Sequence, residues 1–388
     1  MTAIERDECP PTDPFAPPRA AYVHVPFCLQ RCGYCDFTLI ARRDDLFSAY
    51  LDALETELAR LGEPRGMRTL FVGGGTPTHL DVASLRRLLD LLRLWLPVES
   101  AGEFSVEANP DGLTDEKLDL LHEYGVNRVS LGVQSFDARE LAELERTHTP
   151  DEALAVIERV VARWTNVSLD LIFGVPGQTV ADWERNLTRA VATGVSHVSA
   201  YGLTIERGTT FWSRRDKGTL CSVGEDLERE MYGLAMDRLD AAGFGQYELS
   251  NYARPGCECR HNNVYWAGWP YFGFGPGAAW YVDGERAVNH RSTTTWIRGT
   301  LRGERPLMSS ERLGPEERAR ETLVLGLRRT VGVQRELFAR QTGFDVDHLI
   351  GDEGKKLETL GLMELTPEAV RLTREGRFVA DTIVGRFL

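Results

Sequence analysis

The sequence predicts an α/β protein: a partial or full (β/α) barrel of the TIM type, followed by a winged-helix-like α+β module. Three observations support this prediction. Short apolar runs that end at Gly, Pro or polar residues alternate with amphipathic helical patterns, the alternation recurs along the first 200 residues, and the pattern changes beyond residue 250. The functional side chains of such a barrel gather at the carboxyl ends of its strands.

The predicted strands cover residues 20–25, 67–72, 103–107, 128–131, 167–173 and 195–201. Between them, apolar residues spaced three and four apart predict helices at 47–61, 81–93, 114–124, 151–163 and 179–193. Repeated βα units imply a parallel sheet. Because the sequence has no dinucleotide-binding fingerprint, a barrel is favoured over a doubly wound sheet.

The chain divides into four predicted regions. Residues 1–19 form a proline-rich, mobile extension, and residues 20–250 form the barrel. Residues 251–310 are rich in Gly and aromatic side chains and connect the barrel to the C-terminal region. Residues 311–388 alternate short helices and strands and form the winged-helix-like module.

The composition excludes several classes of protein. The 388 residues carry 45 basic and 58 acidic side chains, and the net charge of −13 argues against a general nucleic-acid binder. No run reaches the roughly 18 apolar residues of a transmembrane segment. The N-terminus lacks the basic and apolar regions of a signal peptide. The seven cysteines are an odd number, which is untypical of a secreted disulfide framework, so a reduced, cytoplasmic protein is expected.

The spacing of Cys28, Cys32 and Cys35 is the most specific signal in the sequence. A tight loop with these spacings can direct three thiolates at one centre. A structural zinc ion would require a fourth ligand, and the segment with Cys257, Cys259 and His261 is a poor complement for it. An iron–sulfur cluster held by only three cysteines would leave one iron open to an exogenous ligand, which is a reactive arrangement.

The longer motifs around this triplet resemble the radical S-adenosylmethionine superfamily. Within it, the chain is similar to the branch that contains oxygen-independent coproporphyrinogen III oxidase and the HemW-type haem chaperones, and it is closest to the latter. The similar segments are YVHVPFCLQRCGYCDF, FVGGGTPT, SVEANPD, VNRVSLGVQSF, LDLIFGVPGQT, YELSNYARPGCECRHNNVYW and LTREGRFVADTI. Together they extend over nearly the whole chain from residue 20 onward.

The resemblance implies a [4Fe–4S] cluster on the three cysteines, with S-adenosylmethionine bound to the fourth iron. In this family one electron from the cluster cleaves the sulfonium to methionine and a 5′-deoxyadenosyl radical. The residues that match family positions near S-adenosylmethionine are Tyr22, Tyr34, Gly74, Gly75, Thr76, Glu107, Gln134, Arg146, Asp170 and Ala200.

Two features of these residues can be interpreted from physical chemistry alone. The run Gly73–Thr76 lacks the Lys of a P-loop, and glycines at a strand end allow backbone to come close to a ligand. Glu107 and Asp170 are carboxylates in otherwise apolar strands and need partners, which a ribose, a cationic ligand or a structural ion pair could supply.

Within the branch, the sequence favours the haem chaperone, which binds haem and passes it to an acceptor protein. The oxidase has a further cysteine two residues after the third ligand, where this chain has Phe37. The oxidase also has a long segment before the cluster loop, whereas 27 residues precede Cys28 here. Residues 261–266, HNNVYW, match the HNxxYW pattern of the chaperones. The alternatives are the oxidase itself and a radical S-adenosylmethionine oxidoreductase with another small substrate.

The resemblance also implies a one-electron donor, such as a flavodoxin-like or ferredoxin-like protein, as a further partner. His261, Cys257 and Cys259 are the candidate axial ligands for haem, since His and Cys are the common protein ligands of haem iron. Two departures are expected to alter local structure. Leu144-Glu145-Arg146 replaces the family's Leu-Gly-Arg, and Ala278-Ala279-Trp280 replaces its Ala-His-Ser.

Overall fold

The computed structural model describes residues 17–388, so most of the predicted N-terminal extension lies outside the described residues. The main structural element is a nine-stranded, mostly parallel sheet. Its strands are β1 Ala20–Val25, β4 Met67–Gly74, β5 Val98–Ala108, β6 Arg128–Gln134, β7 Val167–Phe173, β8 His197–Gly202, β9 Gly245–Gln246, β10 Asn251–Ala253 and β11 Phe272–Phe274. They lie in the order β11-β1-β4-β5-β6-β7-β8-β10-β9. Two further short strands, β2 Phe27–Cys28 and β3 Ile40–Ala41, pair with each other.

The sheet is curved but open. Strands β11, β1, β4, β5, β6, β7 and β8 pair in parallel, and β10 and β9 then add antiparallel. Among the described residues β11 and β9 do not pair with each other, so the predicted α/β architecture is confirmed as a partial barrel. The six strands predicted from the sequence are the consecutive parallel strands of its centre.

Helices connect these strands across the outer face of the sheet. They are α1 Phe47–Leu58, α2 Val82–Trp95, α3 Asp115–Glu123, α4 Ala138–Glu143, α5 Pro150–Val161, α6 Val180–Ala192, α7 Thr210–Asp216 and α8 Glu225–Ala241. Local sequence sets where several of them begin. Thr149 and Glu152 form a capping box at α5, and Thr179 and Asp182 form one at α6.

The two faces of the sheet differ in chemistry because side chains alternate along a strand. Valines and leucines of the central strands face the helices and form the main hydrophobic core. Glu103, Ser105 and Glu107 of β5 share the opposite, inner face, where Arg128 and Asp170 also lie. The inner face is therefore polar along much of its length, which is unusual for a parallel sheet and indicates a functional interior.

After β10 the chain forms two further parts and returns to the main sheet at β11. Helix α9, Arg260–Trp266, packs against β4, and a three-stranded antiparallel sheet comes after it together with α10, Thr293–Leu301. The strands of this sheet are β12 Ala279–Val282, β13 Glu285–Asn289 and β14 Leu307–Arg312.

The C-terminal α+β module has its own hydrophobic core, as expected for the winged-helix-like part of the predicted fold. It contains α11 Pro315–Gly326, β15 Val333–Gln334, α12 Arg335–Thr342, α13 Val346–Thr359, β16 Met363–Leu365, β17 Ala369–Leu372, α14 Arg374–Arg377 and α15 Ala380–Val384. No helix in residues 17–388 is both long and apolar enough to cross a bilayer.

Trp183 joins two helices on the outer face of the barrel and provides a test of this packing. It is fully buried, and its indole N–H donates to the Met231 carbonyl oxygen of α8 at 3.0 Å. We expect Trp183→Ala to lower the free energy of unfolding by about 3–5 kcal/mol, because it leaves a cavity and removes the indole hydrogen bond to Met231. Leu94→Ala, at a position 58% exposed, should change it by less than about 0.5 kcal/mol. Denaturant unfolding measures the free energy of unfolding of both variants. Equal losses in Trp183→Ala and Leu94→Ala would contradict the packing described for Trp183.

Candidate functional site

A cleft of about 420 Å³ lies at the carboxyl ends of the parallel strands. The loops after β1, β4, β5, β6 and β8 and the end of β7 itself contribute to it, as expected for a barrel protein. The predicted residues that line it are Cys28, Cys32, Tyr34, Cys35, Gly74, Gly75, Thr76, Glu107, Gln134, Arg146 and Asp170. Residues far apart in the sequence are thus brought to one opening.

The three cysteines lie on a loop of residues 28–38, here called the cluster loop, which is held at both ends. At its start, Cys28 pairs with Ala41 through the short parallel ladder of β2 and β3. At its end, Nε2 of His24 donates to the Thr38 carbonyl oxygen at 2.6 Å. Burial lowers the pKa of His24 to about 4, so its ring is neutral and Nδ1 accepts the Tyr22 hydroxyl at 3.0 Å.

Each thiol of the cluster loop has a distinct environment. Cys28 is buried, its Sγ lies 3.5 Å from Oγ1 of Thr76, and burial raises its pKa to about 11. Cys32 accepts a hydrogen bond from Nη1 of Arg146 at 3.6 Å. The amide of Cys35 donates to the Cys32 carbonyl oxygen at 3.1 Å, and burial raises the pKa of its thiol. The loop therefore presents three partly enclosed sulfurs to the cleft.

The distances between these sulfurs help to distinguish a single zinc ion from an iron–sulfur cluster, the two metal centres that the cysteine spacing in the sequence allows. Around one zinc ion, Zn–S bonds of about 2.3 Å place tetrahedral sulfurs about 3.8 Å apart. In the described part of the chain the three sulfurs do not all lie within 4.8 Å of one another. The residues that line the cleft include no histidine and no fourth cysteine. Three thiols with no further thiol or imidazole in the cleft lining suit a cluster with one open iron better than a structural zinc ion of the Cys₄ or Cys₃His type.

The glycines after β4 are required by close packing. The amide of Gly74 donates to Oε2 of Glu107 at 2.9 Å, with φ of +108° at Gly74. A Cβ at Gly73 would lie 2.5 Å from the same carboxylate oxygen, and a Cβ at Gly75 would lie 2.7 Å from the Phe27 carbonyl oxygen. Side chains at these positions would displace either Glu107 or the start of the cluster loop.

Two carboxylates form the floor of the cleft. Removal from bulk water raises the pKa of Glu107 to about 7, and the neighbouring charge of Asp170 adds to this effect. Burial likewise raises the pKa of Asp170, although the hydrogen bonds from Ser199 and Ser130 lower it. Two desolvated carboxylates close together favour a cationic ligand or a ligand with several hydroxyl groups.

A hydrogen-bonded chain that the sequence did not reveal joins the two sides of the cleft. Nδ2 of Asn109 donates to Oγ1 of Thr76, and Nη2 of Arg146 donates to Oδ1 of Asn109, both at 2.7 Å. Nη2 of Arg146 also bonds the Gly132 carbonyl oxygen at 2.8 Å. The position of Asn109, directly after the end of β5, is the signal that could have identified it.

The departure at Glu145 has a local explanation. This residue follows the end of α4 and has φ of +55°, in the left-handed region where glycine is favoured. Its amide donates to the Ala142 carbonyl oxygen at 3.1 Å, so the turn that precedes Arg146 forms with Glu in place of Gly.

Two predicted residues do not line the cleft. Tyr22 lies below it, with its ring against Phe71. Ala200 is buried in the core between the sheet and the helices, because it alternates with Ser199 and Tyr201 along β8. Its neighbour Tyr201 lines the cleft and was not predicted.

The three candidate haem ligands lie outside the cleft. His261 is the second residue of helix α9 and is fully buried against Phe71. Its ring is hydrogen bonded on both sides, to Oγ1 of Thr69 at 2.9 Å and to the Tyr265 hydroxyl at 2.8 Å. Burial lowers the pKa of His261 to about 3. As folded, neither ring nitrogen is available to iron.

The cysteines next to His261 differ in accessibility. The Cys259 thiol is buried and donates to Oε1 of Glu103 at 3.7 Å. The Glu103 carboxylate also accepts the amides of Arg260 and His261, and so caps α9. Cys257 is partly exposed.

The other end of α9 contacts the C-terminal module. Arg328 lies over the Trp266 ring at 4.5 Å, and Nε2 of Gln341 donates to the Ala267 carbonyl oxygen at 2.8 Å. The HNNVYW segment therefore packs between the two parts of the molecule.

Comparison with known families identifies two matching regions. Residues 22–190 match the family model described as the radical SAM superfamily. Residues 313–379 match the model described as the HemN C-terminal domain.

Curated relatives and a solved structure extend the similarity over the whole chain. Heme chaperone HemW of Bacillus subtilis (strain 168) is 39% identical, over 95% of this chain and 99% of that protein. Heme chaperone HemW of Mycobacterium tuberculosis (strain ATCC 25618 / H37Rv) is 37% identical, over 96% of this chain and 95% of that protein. The structure of coproporphyrinogen III oxidase (HemN) from Escherichia coli, a radical SAM enzyme, has the same fold, with a TM-score of 0.82, 23% identity, and coverage of 95% of this chain and 90% of that one.

Proposed function

This chain belongs to the HemW family of the radical S-adenosylmethionine superfamily, and on that basis we propose that it is a haem chaperone that binds haem and transfers it to acceptor proteins. The similarity to HemW proteins over 95% of the chain carries the proposal. Phe37 supports it, since the oxidase pattern has a further cysteine at this position.

In this proposal Cys28, Cys32 and Cys35 hold a [4Fe–4S] cluster at the mouth of the cleft. Their spacing and the lack of a fourth thiol or imidazole in the cleft lining support this ligand set. When bound, the cluster supplies single electrons and an open iron position for S-adenosylmethionine. Arg146, which donates to the Cys32 sulfur, stabilises the thiolate form of that ligand.

The same cleft is proposed to bind S-adenosylmethionine below the cluster. Gly74 and Gly75 line the cleft, and the carboxylates of Glu107 and Asp170 complement a cationic ligand with a ribose. Tyr34, Thr76, Gln134 and Arg146 complete the proposed set. Tyr22 supports the cluster loop through His24 instead, and Ala200 belongs to the core.

For haem, the candidate ligands differ in accessibility. Ligation by His261 requires that the ring break two hydrogen bonds and leave its stack on Phe71. Cys259 is buried on the Glu103 carboxylate. Cys257 is the partly exposed member of the set, and we therefore propose it as the haem ligand if iron is bound in this segment as folded.

Removal of any cluster ligand should abolish the iron centre. After anaerobic reconstitution we expect about four irons per wild-type chain. Cys28→Ala, Cys32→Ala or Cys35→Ala should leave almost none, because a cluster with two protein ligands is not retained. Cys221→Ala, at an exposed thiol outside the cleft, is the matched control and should retain the full iron content. A colourless wild-type protein holding one zinc ion would overturn the cluster.

Binding of S-adenosylmethionine should strengthen as the pH rises through the pKa of Glu107, about 7. Above this pH the carboxylate is ionised and attracts the cationic ligand, whereas below it each pH unit should weaken binding by up to about tenfold. Burial raises this pKa most, the charge of Asp170 raises it further, and the Gly74 amide and Arg128 lower it. Calorimetry on the reconstituted Glu107→Gln variant should show weaker binding of S-adenosylmethionine, and the part of the pH dependence that comes from Glu107 should be missing. Titration of the ligand itself affects the wild type and the variant equally, so the difference between their pH profiles reports on Glu107. An unchanged pH profile in Glu107→Gln would contradict the assignment.

Haem titration distinguishes the chaperone from the oxidase. We expect a stable haem complex, transfer of that haem to apomyoglobin as a model acceptor, and no decarboxylation of coproporphyrinogen III by the same preparation. The haem spectrum should change in Cys257→Ala and remain unchanged in Cys221→Ala. A spectrum altered by His261→Ala alone would transfer the ligand role to His261. Decarboxylation without stable haem binding would favour the oxidase.

A further inference from the structure

A second cavity lies away from the cleft, at the edge of the main sheet. It has a volume of about 290 Å³ and is enclosed by the end of α1, by the edge strand β11 and by the small sheet of β12, β13 and β14. None of the residues assigned above to the cluster, to S-adenosylmethionine or to haem lines this cavity. The cavity therefore has no part in the function proposed above.

The cavity forms where β12 crosses close to β11. Tyr271 and Tyr281 exchange backbone hydrogen bonds of 2.8 and 2.9 Å at the crossing. A Cβ at Gly273 would lie 1.9 Å from the Ala279 carbonyl oxygen, so the two strands can come this close only because residue 273 is glycine. The next residue of β12, Trp280, lines the cavity.

Trp280 is one of the departures from the family pattern, since it occupies the position of the Ser in Ala-His-Ser. The guanidinium of Arg305 lies over its ring, 5.0 Å from the ring centroid. Within residues 17–388 the Arg305 side chain forms no hydrogen bond and no ion pair. A guanidinium stacked on an indole is held in place while its N–H groups remain available as donors. Trp280 and Arg305 thus provide an oriented cation at the cavity.

Two further arginines line the cavity, and both bond neutral groups. Nη2 of Arg60 donates to the Glu304 carbonyl oxygen, and Nη1 of Arg312 donates to the Asp283 carbonyl oxygen at 2.7 Å. Among the described residues, the one ion pair of these three arginines joins Arg312 to Glu285 at a long 3.9 Å. Three guanidinium groups with so little internal compensation favour an anionic ligand.

The acidic residues of the lining leave this positive charge largely in place. The carboxylate of Glu57 is used by the protein, because it accepts the Gly275 amide at 2.7 Å and Nδ2 of Asn289 at 2.8 Å. Burial raises the pKa of Glu57, which favours its neutral form. Asp283 lies at the turn between β12 and β13 and is exposed to solvent, where its charge is screened.

We propose that this cavity binds a small organic anion, in which a carboxylate or phosphate group is attached to a short apolar body. The arginines bind the acid group, for which the fork of a guanidinium is well suited. Leu61, Phe272 and Val282 also line the cavity and contact the apolar body. A volume of about 290 Å³ is at the lower end for small-molecule sites and does not enclose a tetrapyrrole, so the site is distinct from one for haem.

The test is calorimetry with benzoate and phenyl phosphate on the full-length reconstituted protein. We expect saturable binding of one equivalent to the wild type. Inorganic phosphate, which lacks the apolar body, and benzyl alcohol, which lacks the charge, should bind at least about tenfold more weakly. Arg305→Gln should weaken binding by about tenfold or more, because a charge-assisted hydrogen bond is lost, and Arg305→Lys should weaken it less. Trp280→Ser, which restores the residue of the family pattern, should also weaken binding.

A control variant and a spectroscopic measurement locate the site. Arg298→Gln makes the same change of charge at an exposed position of α10 outside the cavity lining and should bind like the wild type. In protein labelled with 5-fluorotryptophan, the ¹⁹F resonance that is missing from Trp280→Ser belongs to Trp280. Phenyl phosphate should shift this resonance in the wild type, and less in Arg305→Gln at the same concentration. Unfolding midpoints close to that of the wild type show that the variants are folded.

The outcomes separate clearly. The proposal is wrong if neither benzoate nor phenyl phosphate binds the wild type saturably. It is also wrong if Arg305→Gln and Trp280→Ser bind like the wild type while the Trp280 resonance stays in place, because the site then lies elsewhere. Equal binding of inorganic phosphate would contradict an organic ligand. The tighter of the two organic probes identifies the acid group. None of these measurements depends on haem or on electron transfer, so they succeed or fail independently of the proposed function.

Discussion

The register of the parallel sheet is the constraint on which the site depends. Because side chains alternate along a strand, the position of one residue fixes which others face the interior. Glu107 lies beside Ser130 in the ladder, and Asp170 lies between Gly132 and Ser199. A shift of one residue in β5 or β7 would place these carboxylates in the apolar layer under the helices and turn valine or leucine into the cleft.

The polar interior that this register creates needs its own charge balance. Arg128 is 2% exposed and lies beside Ser105 in the ladder, one row below Glu107. Its positive charge lowers the pKa of Glu107 and of Asp170 against the effect of burial. Burial lowers the pKa of His197 and of His261, and the charge of Arg128 adds to this effect. A desolvated carboxylate without such a partner costs several kcal/mol. Arg128 thus allows two acidic groups to remain close together at the floor of the cleft.

The sequence predicted the parts of the fold that depend on local pattern. Apolar runs and helical spacing located the six central strands, and cysteine spacing located the loop that faces the cleft. It did not predict the short strands β9, β10 and β11, since two or three residues carry no periodicity and their pairing is set by distant partners.

Site residues whose orientation depends on tertiary packing were harder to predict. Ala200 matched a family position, but its side chain faces the core, and the neighbouring Tyr201 reaches the cleft. His261 was one of three candidate haem ligands, and Thr69, nearly 200 residues away in the chain, occupies one of its nitrogens.

The cluster loop acts as a boundary between two chemical environments. On its inner side, glycines, Thr76 and the carboxylate floor provide a polar cleft for small ligands. At the mouth of this cleft Phe37 is 62% exposed, and Leu29, which is outside the cleft lining, is 48% exposed. Burial raises the pKa of the Cys35 thiol, and the backbone amide of Phe37 acts against this rise. Position 37 thus presents an apolar side chain at the mouth of the cleft, where the oxidase pattern has a further cysteine.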